Sequence, residues 1–152
     1  MSLHQQLLAR LRDAGCKFET SHHEPTRTSE DAARIRGVAM HSGAKALVTR
    51  GHKTGTYYLF VIPADLKLDS KKVKAIVQEE VGFASDVEQV TGCVPGSVPP
   101  FGSLFGMRTI TDRRLADNEI INFNAASLTD SVAMRYDDYL RVENPDLRDI
   151  AK

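Results

Sequence analysis

The chain has 152 residues, enough to bury a sizeable core in one domain, and its 41% hydrophobic and 26% charged residues are those of an ordinary globular protein. Lys and Arg number 20 and so do Asp and Glu. That balance excludes a general polyanion binder, which is basic overall, but leaves room for a local basic patch.

The cysteines, Cys16 and Cys93, show no CxxC spacing and make no disulfide framework. No apolar window is long enough to span a membrane. A cytoplasmic location without a membrane partner is therefore expected.

Leu3, Leu7, Leu8, Leu11 and Ala14 recur at helical spacing and predict a first helix, stopped by Gly15. Cys16 to Ser21 reads as a short strand leading to His22-His23-Glu24-Pro25. Thr28-Ser29-Glu30-Asp31 is a helix start, with Thr28 as cap and acidic residues in the first turn. That helix stops at Gly37. Ala44 to Arg50 and Thr56 to Ile62 flank a glycine-containing turn and predict a hairpin. The second strand is almost continuously apolar, so it should be central and covered on both faces.

Leu68-Asp69-Ser70 opens another predicted helix, with Val73, Ile76, Val77 and Val81 as its buried stripe and Gly82 as its stop. Lys71, Lys72 and Lys74 fall on exposed positions. Ser85-Asp86-Val87-Glu88 has the form of a capping box, and the short helix it opens ends near Gly92. Leu104 to Thr111, Ile120 to Asn124 and Ser131 to Tyr136 read as strands. Asp137 to Val142 predicts a closing helical turn, broken at Asn144-Pro145. The tail to Lys152 is expected to be loosely held. The element order predicts an α/β (α+β) domain with a mixed sheet. It lacks regular βαβ alternation and a GxGxxG after a strand, so a dinucleotide fold is not expected.

Two stretches look chemical. Lys45 stands at the start of an apolar strand, where it either meets an anion or snorkels to solvent. The stretch Gly92-Cys93-Val94-Pro95-Gly96-Ser97-Val98-Pro99-Pro100-Phe101-Gly102 is stiffened by prolines that carry no N–H. It is either a structural crossover or a rigid rim whose few N–H groups point at a ligand. These two stretches are expected to face each other.

His22, His23 and Glu24 resemble a metal cluster. Neighbours on an extended chain point to opposite faces, however, and no HxxxH spacing supports one, so no metal is expected. Cys93 and Ser97 would need an oriented base to act as nucleophiles, and packing roles are favoured. Asp112 either positions a group at a strand end or caps a turn. The lysines of the third helix, with Arg34 and Arg36, read as a solvated face before a nucleic-acid contact.

An ordered set of segments resembles the YbaK/ProRS-associated editing domain family of aminoacyl-tRNA deacylases. The set is Thr28 to Ala33, Gly43 to Val48, Val61 to Asp69, Thr91-Gly92, Gly96 to Gly102, Asp112 and Asn122 to Ser127. It spans nearly the whole chain. The resemblance implies one domain over residues 1–152, with a barrel-like mixed sheet surrounded by helices.

It also implies hydrolysis of the ester joining a wrong small amino acid (Ala, Ser, Thr or Cys) to a tRNA, foremost the proline tRNA. The alternative is a non-catalytic module that binds aminoacylated tRNA ends or a synthetase. The family lysine matches Lys45, and the family GxxxP loop matches Gly96 to Pro100. Catalysis is accordingly expected from Lys45, Gly96, Ser97, Val98 and Pro100. Substrate contacts are expected from His23, Thr28, Phe101, Gly102, Asp112, Asn124 and Ala126, with no cofactor. Many members carry a glycine where this chain has Ala126, whose methyl is expected to reshape the pocket. The implied partners are the acceptor end of aminoacyl-tRNA and a synthetase; monomer and homodimer both stay open.

Overall fold

The computed structural model describes residues 1–152. Its elements are α1 Leu3–Asp13, β1 Phe18–His22, α2 Ser29–Arg36, β2 Ala44–Gly51, β3 Tyr57–Pro63, α3 Ser70–Val77, β4 Val81–Phe83 and α4 Val87–Thr91. There follow β5 Arg108–Asp112, β6 Ile120–Asn124, β7 Asp130–Arg135, α5 Tyr136–Glu143 and β8 Asp146–Arg148. Short 3-10 turns cover Met40–Ser42, Gly102–Phe105 and Arg113–Asp117.

The strands form two sheets, ordered β4-β2-β3-β5-β8 and β1-β7-β6. The hairpin of β2 and β3 is antiparallel, whereas β5 pairs in parallel with β3 and β8, so the larger sheet is mixed as expected. An isolated parallel bridge, Gly43 to Asn122, joins the sheets where β2 begins beside β6. β3 lies in the middle and buries both faces. Leu59 and Val61 enter the larger core with Ile121, Phe123, Val132 and Met134 of the second sheet. Tyr58, Phe60 and Ile62 alternate to a smaller core with Val73 of α3 and Ile150 and Ala151 of the tail.

Four local expectations are corrected. α3 ends at Val77, with Gln78 in the left-handed region at φ 62°, and Val81 and Gly82 belong to β4. The carboxylate of Glu79 decides this. It is 5% exposed and accepts the N–H groups of Lys53 and Thr54 and the hydroxyls of Thr54 and Tyr58. Those bonds pin the chain under the β2–β3 turn, and another helical turn would break them.

The Ser85–Glu88 capping box does not form. Asp86 is the N-cap residue of α4 without a side-chain cap bond, because its carboxylate receives the Tyr57 hydroxyl at 2.5 Å. The segment from Leu104 begins inside a 3-10 turn, and strand β5 starts only at Arg108.

The tail is held rather than loose. Ile150 and Ala151 are fully buried, and both donate their N–H to Asp112 Oδ2 at 2.9 Å. Lys67 and Lys152 exchange a pair of backbone hydrogen bonds beside them. At the other terminus, Ser2 and Gln5 form a reciprocal capping box at the start of α1.

Candidate functional site

α2, the start of β2, the end of β6 and the proline-rich loop enclose a cavity of about 540 Å³, within the range that takes a small ligand. Thr28, Lys45, Gly96, Val98 and Asn124 all line it, so the lysine stretch and the loop do share one site. Lys45 is exposed into this space and forms neither an ion pair nor a side-chain hydrogen bond. Ala44 and Val48 of β2 are buried while Lys45 is exposed, so the strand start is not a buried setting for it.

The loop chemistry is set by which N–H groups its own turns consume. Gly96 sits at φ 88°, a conformation that favours glycine. Ser97 closes a turn, with its N–H and its hydroxyl both donating to the Val94 carbonyl. Phe101 donates to the Pro99 carbonyl. Between Pro95 and Pro100, only Gly96 and Val98 retain N–H groups without a protein acceptor. Asn124 fastens the loop, donating to the Gly96 carbonyl at 2.7 Å and to Thr26 Oγ1 at 3.1 Å.

Arg36 also lines the cavity and was not singled out as a site residue. Read as part of a solvated face, it is instead half-buried and touches no carboxylate. Its Nε donates to Ser131 Oγ at 3.0 Å, Nη1 to Asn122 Oδ1 at 2.9 Å and Nη2 to Asn124 Oδ1 at 2.7 Å. Desolvation pulls its pKa down to about 10, so it stays charged at neutrality. One sequence signal existed: Asn122 and Asn124 stand two apart in an apolar strand and therefore point to one face. Arg27 reaches the cavity too, and no Asp or Glu lines it.

The other expected site residues lie elsewhere. His23 borders the network from outside, its Nε2 at 2.7 Å from Ser131 Oγ, while His22 turns away to Asp130. Phe101 is fully buried and packs edge-on against Phe123 and Tyr139. At Gly102 a Cβ would sit 2.4 Å from Thr109 Oγ1, so this glycine serves internal packing. Asp112 is fully buried against Arg114 and the tail. Ser97 and Pro100 are buried within the loop and do not line the cavity.

Ala126 lies in the β6–β7 turn at φ 59°, outside the cavity lining, so its methyl does not narrow the pocket. Cys93 is 2% exposed, and burial pushes its thiol pKa up, away from a nucleophilic thiolate. Of the other basic residues, Arg34 pairs with Asp31, Lys72 with Asp149 and Lys74 with Glu80, all off the cavity.

The family described as "Aminoacyl-tRNA editing domain" matches residues 23–142. The Multifunctional Ser/Thr-tRNA deacylase ProXp-y of Escherichia coli (strain K12) is 33% identical over 150 residues, covering 95% of this chain and 90% of that protein. The Prolyl-tRNA editing protein ProX of Acetoanaerobium sticklandii is 24% identical over 149 residues, covering 93% and 91%. A solved structure described as a candidate trans-editing enzyme for prolyl tRNA synthetase superposes with a TM-score of 0.84. At 22% identity it covers 100% of this chain and 98% of that one, which is a likeness of fold.

Proposed function

The chain belongs to the aminoacyl-tRNA editing domain family, and from that premise we propose that it is a trans-editing hydrolase that deacylates mischarged tRNA. Serine and threonine are the favoured amino acids, in keeping with the name of the 33% identical relative. The proline tRNA is the favoured carrier. The cytoplasm is its place of work, and a synthetase is a candidate partner. No helix is long and apolar enough to cross a membrane.

One observation carries this reading. In a chain of zero formal net charge, the cavity gathers Arg27, Arg36 and Lys45 and no carboxylate. Such a site suits an anion, and the phosphate of a terminal nucleotide is one. Thr26, Asn122 and Asn124 make part of its wall polar.

The chemistry follows from the ester. Water attacks the carbonyl, and negative charge grows on its oxygen. The N–H groups of Gly96 and Val98 are the donors available to that oxygen. Lys45 meets either the terminal phosphate or the polarised carbonyl. The ribose hydroxyl next to the ester helps activate the water, so no protein nucleophile is needed.

The test is deacylation of Ala-, Ser-, Thr- and Cys-charged tRNAs side by side, with Lys45→Ala. The variant should lose roughly 10²-fold in rate, the scale of removing one stabilising donor in other enzymes. Full activity in Lys45→Ala would sink its role. A wild-type protein that shields the ester from hydrolysis would be a binding module instead.

A further inference from the structure

Arg36 is bonded only to neutral acceptors, and that arrangement has a geometric effect beyond its charge. A guanidinium donates and cannot accept. Asn122 and Asn124 must therefore both turn their amide oxygens towards it, as they do at 2.9 and 2.7 Å. Each amide nitrogen is then forced outward. Asn122 Nδ2 donates to Ser42 Oγ at 2.8 Å, three residues before Lys45. Asn124 Nδ2 donates to the Gly96 carbonyl and to Thr26. One arginine thus sets the flip of two amides, and those amides tether the two rims of the cavity.

We propose that Arg36 is the positioning residue of the deacylation site, fixing through Asn122 and Asn124 where Lys45 and the N–H groups of Gly96 and Val98 stand relative to the ester. This rests on the proposed deacylase function. The planar fork is what matters: it serves three acceptors held by β6 and β7, and a lysine ammonium on a flexible stem cannot serve all three in one plane.

Arg36→Lys keeps the charge and removes the fork. In single-turnover and steady-state assays with serylated or threonylated tRNA, it should lower kcat by roughly 10- to 100-fold, the scale set by misplacing catalytic groups by about 1 Å, with KM little changed. Asn124→Ala should lose a similar amount. The double variant should be no worse than the poorer single one, since both changes break one relay. Hydrogen exchange of the Ser97 amide, the loop N–H held by the turn to the Val94 carbonyl, should quicken in both variants.

Wild-type kcat in Arg36→Lys would overturn the proposal, and so would additive losses in the double variant. A loss confined to KM, with a flatter salt dependence in Arg36→Met, would make Arg36 a charge and not a positioner. If Arg36→Lys fails to fold, Asn124→Ala decides: native loop exchange with native kcat rejects the relay. A wild-type protein inactive on every charged tRNA would reject the deacylase function alone, and loop exchange would still judge the relay.

Discussion

At Ala126 an L-residue with a Cβ occupies the left-handed region, φ 59°, in the turn between β6 and β7. That conformation costs an ordinary residue about 1–2 kcal/mol. Ala126→Gly should relieve it, less the ~0.4–1 kcal/mol of extra chain entropy that glycine brings to the unfolded state. A gain of about 1 kcal/mol would raise Tm by roughly 2–4 °C in a domain of this size, measured by thermal denaturation. The amino-acid preference should not change, because Ala126 does not line the cavity. Residues of this kind separate what the sequence discloses about a site from what it conceals. Lys45 and the proline-rich loop could be read because a charge before an apolar strand and a glycine between prolines are locally anomalous. Arg36 shows no such anomaly of its own, because an arginine in the last turn of a helix is locally favourable and asks for no partner. Phe101 and Gly102 adjoin the loop in sequence, but the chain turns at Phe101 and sends that ring into the core.

The hairpin, α1, α2, β6 and α5 follow periodicity and caps, which are local, and the sequence reading located them to within a residue or two. The tail and the end of α3 depend on partners far away in the chain. Asp112 is the clearest case. Its carboxylate receives N–H groups from Arg114, Ile150 and Ala151, and it pairs with the Arg114 guanidinium. Asp112→Ala would leave these donors buried without an acceptor, at roughly 1–3 kcal/mol each before relaxation. A total loss of about 2–4 kcal/mol in urea denaturation is expected, with kcat/KM well below Tm changed far less than in Lys45→Ala. A second inter-element tie is pH-dependent. His41, in the 3-10 turn before β2, bridges Asp65 at 2.8 Å and Asp117 at 3.1 Å. The Asp65 hydrogen bond, ahead of the Asp117 one, raises its pKa above the ordinary 6.5. A raised folded-state value means stability that is complete below that ordinary value and lost as pH rises through the folded one. Denaturation from mildly acidic to alkaline pH should therefore show a fall, of at most about 1 kcal/mol for so exposed a pair, that His41→Gln abolishes.

For the whole molecule the decisive property is how charge is distributed, since its sum is zero. A neutral protein gains little from long-range attraction to a polyanion, and its affinity must come from the few phosphates that reach a local site. Arg27, Arg36 and Lys45 line one cavity without a carboxylate, while Arg34, Lys72, Lys74, Arg108 and Arg148 are paired to acids elsewhere. The cavity thus offers three positive charges that no carboxylate in its lining offsets. A protein that neutralises about two phosphates of a single-stranded acceptor end should show log Kobs falling against log salt with a slope near −1.4, at ~0.7 per phosphate. If Lys45 meets the terminal phosphate, Lys45→Ala should flatten that slope by about 0.7 and weaken binding. If it meets the carbonyl oxygen instead, the slope should stay while the rate of ester cleavage falls. Equilibrium binding of aminoacylated tRNA across a salt series, set beside single-turnover deacylation, separates the two oxygens. An unchanged slope together with an unchanged rate would remove Lys45 from the site altogether.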